Sequence, residues 1–307
     1  MIRGALAAVA RNESLGGLLT RTPIARDVVK RVVGGETVEA ALVVAAELAD
    51  RGFTVSLERA APAVTADREA AVVAEEYLGL VDAVAASGLA HAVEVTVFTE
   101  ALGLLPGASP DVARGRLSEL AQHADARRVP LMVGMGPVED AAVTQDMVDG
   151  LRGEGLELGI TLPAAMRRTE ADCARLAARR VRLVKGARRG EPSVAYAQPY
   201  EIDKAYVRCA KVLLAGAGDA SFATHDPRLI EIVETLAVRF GRARHSYEYA
   251  FFMGRQEGAQ ERLLAAGERV RVYVPYGPDW FERLVGGLAE QPGTVTAALR
   301  SLLPGAS

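Results

Sequence analysis

The stretch Val181-Arg182-Leu183-Val184-Lys185-Gly186-Ala187-Arg188 carries the densest potential for chemistry in this 307-residue chain. An apolar run that reads as a buried strand ends in a cation, and Gly-Ala follows where a strand would leave a barrel or a sheet. Arg182 and Lys185, flanked by Leu and Val, are costly to bury without an anionic partner. A ligand anion is one such partner; a Lys that simply reaches solvent or a neighbouring carboxylate is the plainer reading. Thr224-His225-Asp226-Pro227, Tyr247-Glu248-Tyr249, and Tyr273 with Tyr276 add hydroxyl, imidazole, carboxylate and phenol groups. These types recur where a phosphate, a ring and the edge of a polar heterocycle are held together. Each also has a structural role open to it: His225 as a loop residue or helix start, Glu248 as an internal ion pair with Arg182 or Lys185, the tyrosines as packing.

All of these residues fall in or just after short β-like runs. Eight such runs, 53–57, 92–97, 130–135, 156–161, 181–185, 220–224, 245–249 and 270–276, alternate with amphipathic stretches at 66–86, 110–127, 139–151, 168–178, 200–214, 227–240 and 256–265. Strands alternating with helices imply βαβ units and a parallel sheet. Eight units predict an α/β fold closed as a (β/α)8 barrel of the TIM type, with chemistry at the carboxyl ends of the strands. A doubly wound open sheet is the alternative, and the absence of a dinucleotide-type glycine fingerprint after the first run weighs against it. Residues 1–50 read as N-terminal helices preceding a barrel domain of 51–307. Thr37 is placed to cap a helix over 39–48, and Asp50-Arg51-Gly52 to stop it.

Composition narrows the function classes. Half of the residues are hydrophobic, 24% are charged and the formal net charge is −3, so no basic footprint for nucleic acid or an anionic membrane surface stands out. The Ala-rich run at 1–11 is too short and too interrupted for a signal peptide or a membrane span, and no integral membrane segment is expected. Cys173 and Cys209 lack the spacing of a zinc site or a disulfide framework, and His91, His123, His225 and His245 form no i, i+4 pair. A reducing, cytoplasmic compartment and a chemistry without metal are the expectation.

Taken together, four motifs resemble the proline dehydrogenase family, flavin-dependent barrels that oxidise proline to pyrroline-5-carboxylate. They are Arg182-Leu183-Val184-Lys185-Gly186-Ala187, Phe222-Ala223-Thr224-His225-Asp226-Pro227, Tyr247-Glu248-Tyr249 with Gly254, and Arg271-Val272-Tyr273-Val274-Pro275-Tyr276-Gly277-Pro278-Asp279-Trp280-Phe281. Their order and spacing agree over roughly residues 53–303, with helices in front as in single-function bacterial members. The resemblance implies FAD as cofactor, with Arg182 near the flavin N5. Lys185, Gly186, Ala187, Thr224, His225 and Glu248 would be in its binding site, and Tyr273 would line the substrate pocket. A guanidinium that keeps its proton stabilises the negative charge of a reduced flavin, and a pyrophosphate favours cations and helix starts.

The departures are equally specific. In the family the last barrel helix carries a Tyr, then an Arg-Arg pair that receives the substrate carboxylate, then a Glu; here those places read Arg283, Gly286-Gly287 and Glu290. On a helix over 279–290, Trp280, Leu284 and Leu288 form one stripe, so Arg283, Gly286, Gly287 and Glu290 share the face that the family turns to its substrate. Two glycines inside a helix disfavour it by about 1 kcal/mol each relative to Ala, which suits a bulkier ligand or a close chain segment. Thr96 stands where the family has a Lys, Val133-Gly134-Met135-Gly136 where it has an acidic residue, and Leu162-Pro163 where it has a Gln; Glu58 alone retains the acid of the first strand. A buried carboxylate without its partner costs roughly 3–5 kcal/mol, about a hundredfold to several-thousandfold in affinity. The expected function is therefore removal of hydride from a carbon next to nitrogen in a small-molecule amine or modified amino acid other than free proline, with the electron acceptor unassigned. Two alternatives stand: a barrel that has given up redox chemistry and acts as a non-redox enzyme or ligand-binding protein, and orthodox proline oxidation with a clamp made from Arg188, Arg189 or Arg283.

Overall fold

Strands that alternate an apolar residue with a polar one normally show one face to water. In Val93-Glu94-Val95-Thr96-Val97 the valines, all buried, face the helices, while Glu94 and Thr96, 0% and 1% exposed, face inward. Such a pattern suits a closed barrel whose outside is covered and whose inside is polar. The structure, a computed structural model, has this architecture and describes residues 31–60, 64–186 and 191–278. Eight strands, β1 (Thr54–Arg59), β2 (Val93–Phe98), β3 (Leu131–Gly134), β4 (Leu158–Pro163), β5 (Val181–Val184), β6 (Ala220–Ala223), β7 (Tyr247–Phe252) and β8 (Arg269–Tyr276), pair in parallel in chain order, and β8 returns to β1 to close the barrel. The open-sheet alternative is thereby excluded.

The helices that cover the barrel among the described residues are α1 (Val38–Asp50), α2 (Asp67–Ala86), α3 (Pro110–Ala126), α4 (Ala141–Gly153), α5 (Thr169–Arg175), α6 (Pro199–Ala215), α7 (Pro227–Arg239) and α8 (Glu257–Ala265). Thr37 caps α1 as expected, its hydroxyl accepting from the Ala40 N–H at 3.3 Å. α1 lies along β1 and β8, with Ala41 and Ala45 fully buried in the same core as the strands. Capping also sets α7, where Asp226 accepts from the Arg228 N–H at 3.1 Å and Pro227 supplies the fixed φ of a first helical position.

Three differences from the sequence reading matter. β7 runs later than 245–249 because residues Arg244–Ser246 form a 3-10 turn, so the strand carries Phe251 and Phe252 up to the barrel mouth. β1 extends to Arg59 and brings Glu58 into the strand. Cys173 on α5 and Cys209 on α6, unremarkable in spacing, are buried free thiols that lie close to each other. Other expectations, namely the helices before residue 31, Ala187, Arg188 and Arg189, and the 279–290 helix with Trp280, Arg283, Leu284, Gly286, Gly287, Leu288 and Glu290, lie outside the described residues. None of the described helices is long and apolar enough to cross a membrane.

Two glycines test how tightly the shell is built. A methyl group on Gly218 would run into the backbone of Ala177 and Arg179, whereas one on Gly115, inside α3, would meet nothing within 4 Å. Gly218→Ala is expected to destabilise the protein by about 1–3 kcal/mol. Gly115→Ala is expected to stabilise it by about 0.5–1 kcal/mol. Urea denaturation of both variants checks the opposite signs.

Candidate active site

Register alone assembles the centre of the barrel. Across β4 to β7, Thr161, Arg182, Ser221 and Glu248 pair in sequence, and two residues further along the same strands Pro163, Val184, Ala223 and Ala250 pair likewise. Since side chains alternate with period two, both rows face inward. The lower row is polar and charged. The upper row, nearer the carboxyl ends, carries no side chain larger than Val and forms a flat apolar shelf over one half of the mouth.

Beneath the shelf the charged groups are joined across the barrel. Glu94 accepts from Ser56, from the Arg182 Nη2 and from the Arg180 Nη2, and lies 3.6 Å from the Arg271 Nη1. Arg182, 4% exposed, also donates to the Ser56 hydroxyl at 2.8 Å and to the Thr96 hydroxyl at 3.5 Å. Its Nε is buried without a hydrogen-bond partner among the described residues, and so is the Ser221 Oγ on the neighbouring strand. Glu248 accepts from the Arg271 Nε at 2.6 Å and from Arg269 at 3.3 Å. Burial works against the charge of Glu94, but the guanidiniums of Arg182, Arg271 and Arg180 outweigh it and hold the carboxyl well below the usual range. Glu248 is likewise lowered against the effect of burial, chiefly by Arg271.

The mouth carries the other expected residues. Lys185 Nζ lies 2.5 Å from Asp203 on α6, without hydrogen-bond alignment, and 3.3 Å from Asp226. Its plainer reading, a cation reaching neighbouring carboxylates, is the one the geometry has. A hydrogen bond from Arg228, together with Lys185, holds the Asp226 carboxyl down at about 2. Thr224 Oγ1 accepts from the Asp226 N–H at 3.2 Å. His225 Nε2 accepts from the Phe252 N–H at 3.0 Å while its ring stacks on Phe252 at 5.5 Å, so the imidazole is neutral with its proton on Nδ1. Withdrawal from water and the nearby Arg255 push its pKa down to about 4. Tyr273 meets Phe252 edge-on at 5.1 Å, and its hydroxyl donates to Glu58. Gly186, at φ 93°, makes the turn out of β5, where a side chain would press on Pro163 and Ala165.

The fold thus gathers Lys185, Gly186, Thr224 and His225 on one side of the mouth, Tyr273 with Glu58 on another, and Arg182 with Thr96 below. Glu248 is not among the mouth residues: it lies a layer deeper, and its internal ion pairs are with Arg271 and Arg269 rather than with Arg182 or Lys185. Tyr247, Tyr249 and Tyr276 are buried packing residues. Glu94, Arg180, Ser56, Ser221 and Arg271 were missed as a group, although acids and arginines at alternate positions of Val-Glu-Val-Thr-Val, Arg-Val-Arg-Leu-Val and Arg-Val-Arg-Val were the signal. At the end of β3, Gly134 and Gly136 leave room for Phe98 and Glu100, whose side chains occupy the space a Cβ would need.

The fold agrees with three comparisons. A family model described as proline dehydrogenase matches residues 41–280. Proline dehydrogenase 2 of Bacillus subtilis strain 168 is 24% identical over 274 residues, covering 89% of each chain, and a proline dehydrogenase of Deinococcus radiodurans is 26% identical over 280 residues, covering 90% of each. Among solved structures, proline utilization A from Bdellovibrio bacteriovorus, inactivated by N-propargylglycine, superposes with a TM-score of 0.80 at 21% identity over 95% of this chain. Proline utilization A from Bradyrhizobium japonicum gives 0.73 at 20% identity over 92%. The chain spans about a third of those two proteins, 34% and 33% of their lengths.

The buried charges make stability depend on acid in two stages. His225 has a lowered folded pKa, so its contribution is complete above its unfolded value of about 6.5 and is lost as pH falls toward its folded value. Glu94 and Glu248, also lowered, contribute fully above about 4.3 and lose that contribution below it. Urea midpoints measured from pH 8 to pH 3 are therefore expected to be level at the alkaline end, to decline gently below about 6.5 and to drop steeply below about 4.3. In His225→Asn the first decline disappears.

Proposed function

The chain belongs to the proline dehydrogenase family, and on that premise we propose that it is an FAD-dependent oxidoreductase that converts C–N to C=N in an amine or modified amino acid other than free proline. The observation that carries the cofactor is the shelf of Pro163, Val184, Ala223 and Ala250, with Arg182 Nε and Ser221 Oγ, unpartnered among the described residues, in the row below it. A flat ring system fits a surface without large side chains, and two buried polar atoms without partners fit a ligand with polar edges. Arg182 and Ser221 would serve the ring, while Lys185, Gly186, Thr224 and His225 would line the way out for the rest of the cofactor, with the α7 start beside them.

When bound, the isoalloxazine supplies the two-electron acceptor. The overall conversion would remove a hydride from the substrate carbon next to nitrogen and a proton from that nitrogen to form C=N, with the two electrons received in the end by an external acceptor. Arg182 supports the negative charge that the reduction creates. Tyr273, held by Glu58 and Phe252, shapes the substrate side. Thr96 belongs to this group through its bond to Arg182 rather than as a direct contact.

Charge argues the substrate class. The charges of Arg182 and Arg271 are balanced inside the barrel by Glu94 and Glu248, and Glu58 is an acid rather than a cation beside Tyr273. Arg59 is turned to Glu76 at 2.8 Å. That environment favours an amine over an amino acid's free carboxylate. The engagement of Lys185 by two carboxylates supports a second reading, a barrel that binds its ligand without redox chemistry.

One experiment separates them. The purified full chain is expected to be yellow, or to become so with added FAD, and to bleach anaerobically with cyclic amines, proline esters or proline amides. The specificity for free proline is expected to be lower by at least about a hundredfold in kcat/KM. Protein that stays colourless with FAD supports the second reading, and rapid bleaching by free proline at low concentration refutes the substrate class.

A further inference from the structure

We propose that Arg180, Glu94 and Arg182 form an electrostatic relay through the barrel, in which Glu94 is the positioning residue that fixes Arg182 and sets how much positive charge reaches the shelf. The inference rests on the flavin reading above and adds to it residues that lie away from the mouth.

The geometry points to the relay in three ways. Glu94 is divided between two guanidiniums of one strand edge: one carboxylate oxygen takes Arg182 with Ser56, the other takes Arg180. Arg182 is held from the far wall, through Glu94 and Ser56 on its Nη2 and Thr96 on its Nη1, while its Nε has no hydrogen-bond partner among the described residues. Arg180 approaches from the other end. Its side chain is 23% exposed at the amino-terminal side of the barrel, where it also lies 3.7 Å from Asp219, and it competes with Arg182 for the same carboxylate.

With Glu94 fully buried, water does little to screen these charges, and a change at one end is felt at the other. Removing the negative charge of Glu94 leaves Arg182 more positive and favours reduction at the shelf. Removing Arg180 frees Glu94 to offset Arg182 more completely and disfavours it. A side chain that only supports the fold would not give shifts of opposite sign.

The test is the midpoint potential of the flavin-loaded full chain, measured by equilibration with reference dyes, in the wild type, Glu94→Gln and Arg180→Gln. Glu94→Gln is expected to favour the reduced state at least tenfold, a positive shift of about 30 mV for a two-electron couple, and Arg180→Gln to move the potential in the negative direction. Because Arg180 is partly exposed, its variant keeps the test available if Glu94→Gln does not fold. Potentials that ignore the substitutions, or a positive shift in Arg180→Gln, remove the relay while the cofactor reading stands. A wild-type chain that takes up no flavin removes both.

Discussion

A carboxylate with no access to water has to be met by cations, and in this barrel that requirement falls on Glu94. Desolvating it unpaired would cost several kcal/mol, so three arginines and a serine from β1, β8, β5 and the residue just before β5 are drawn to it. The consequence is a cross-braced interior rather than an apolar one. Arg182, the side chain best placed to act on a bound ring, owes its position to this brace as much as to its own strand.

Above the brace, the barrel changes character within one step of the strands. The row of Thr161, Arg182, Ser221 and Glu248 gives way to Pro163, Val184, Ala223 and Ala250. Polar groups therefore lie under a surface that offers shape but little hydrogen bonding. Around the rim the partition continues: Lys185, Asp203 and Asp226 form a charged cluster on the β5–β6 side, while Phe252, Tyr273 and Glu58 form an aromatic and acidic wall on the β7–β1 side. A ligand spanning the mouth would meet a different chemistry at each end.

Much of this could be read from the chain. Eight apolar runs separated by helical stretches carried the barrel, and Thr37 marked a helix start by residue type alone. Lys185, Thr224 and His225 stood out because each follows a strand, where a barrel puts its chemistry, and Tyr273 because it lies in the last strand, β8. The depth of Glu248 could not be read, because a strand motif does not say how far below the mouth a residue lies. Two positions before Ala250 and four before Phe252, it belongs to the braced layer. Glu94 went unremarked because its importance depends on partners 86 and 88 residues away, a relation that no local pattern contains. The glycines at 134 and 136 looked like losses, yet the space they leave is taken by Phe98 at the end of β2 and Glu100 in the turn that follows it.

The most direct measurement is a crystal structure of the full chain grown with FAD. The account predicts the isoalloxazine lying on the row of Pro163, Val184, Ala223 and Ala250, within hydrogen-bond reach of Arg182, while Arg182 still holds Glu94. A ring seated elsewhere in the barrel, or an Arg182 that has let go of Glu94 to reach it, would contradict the account.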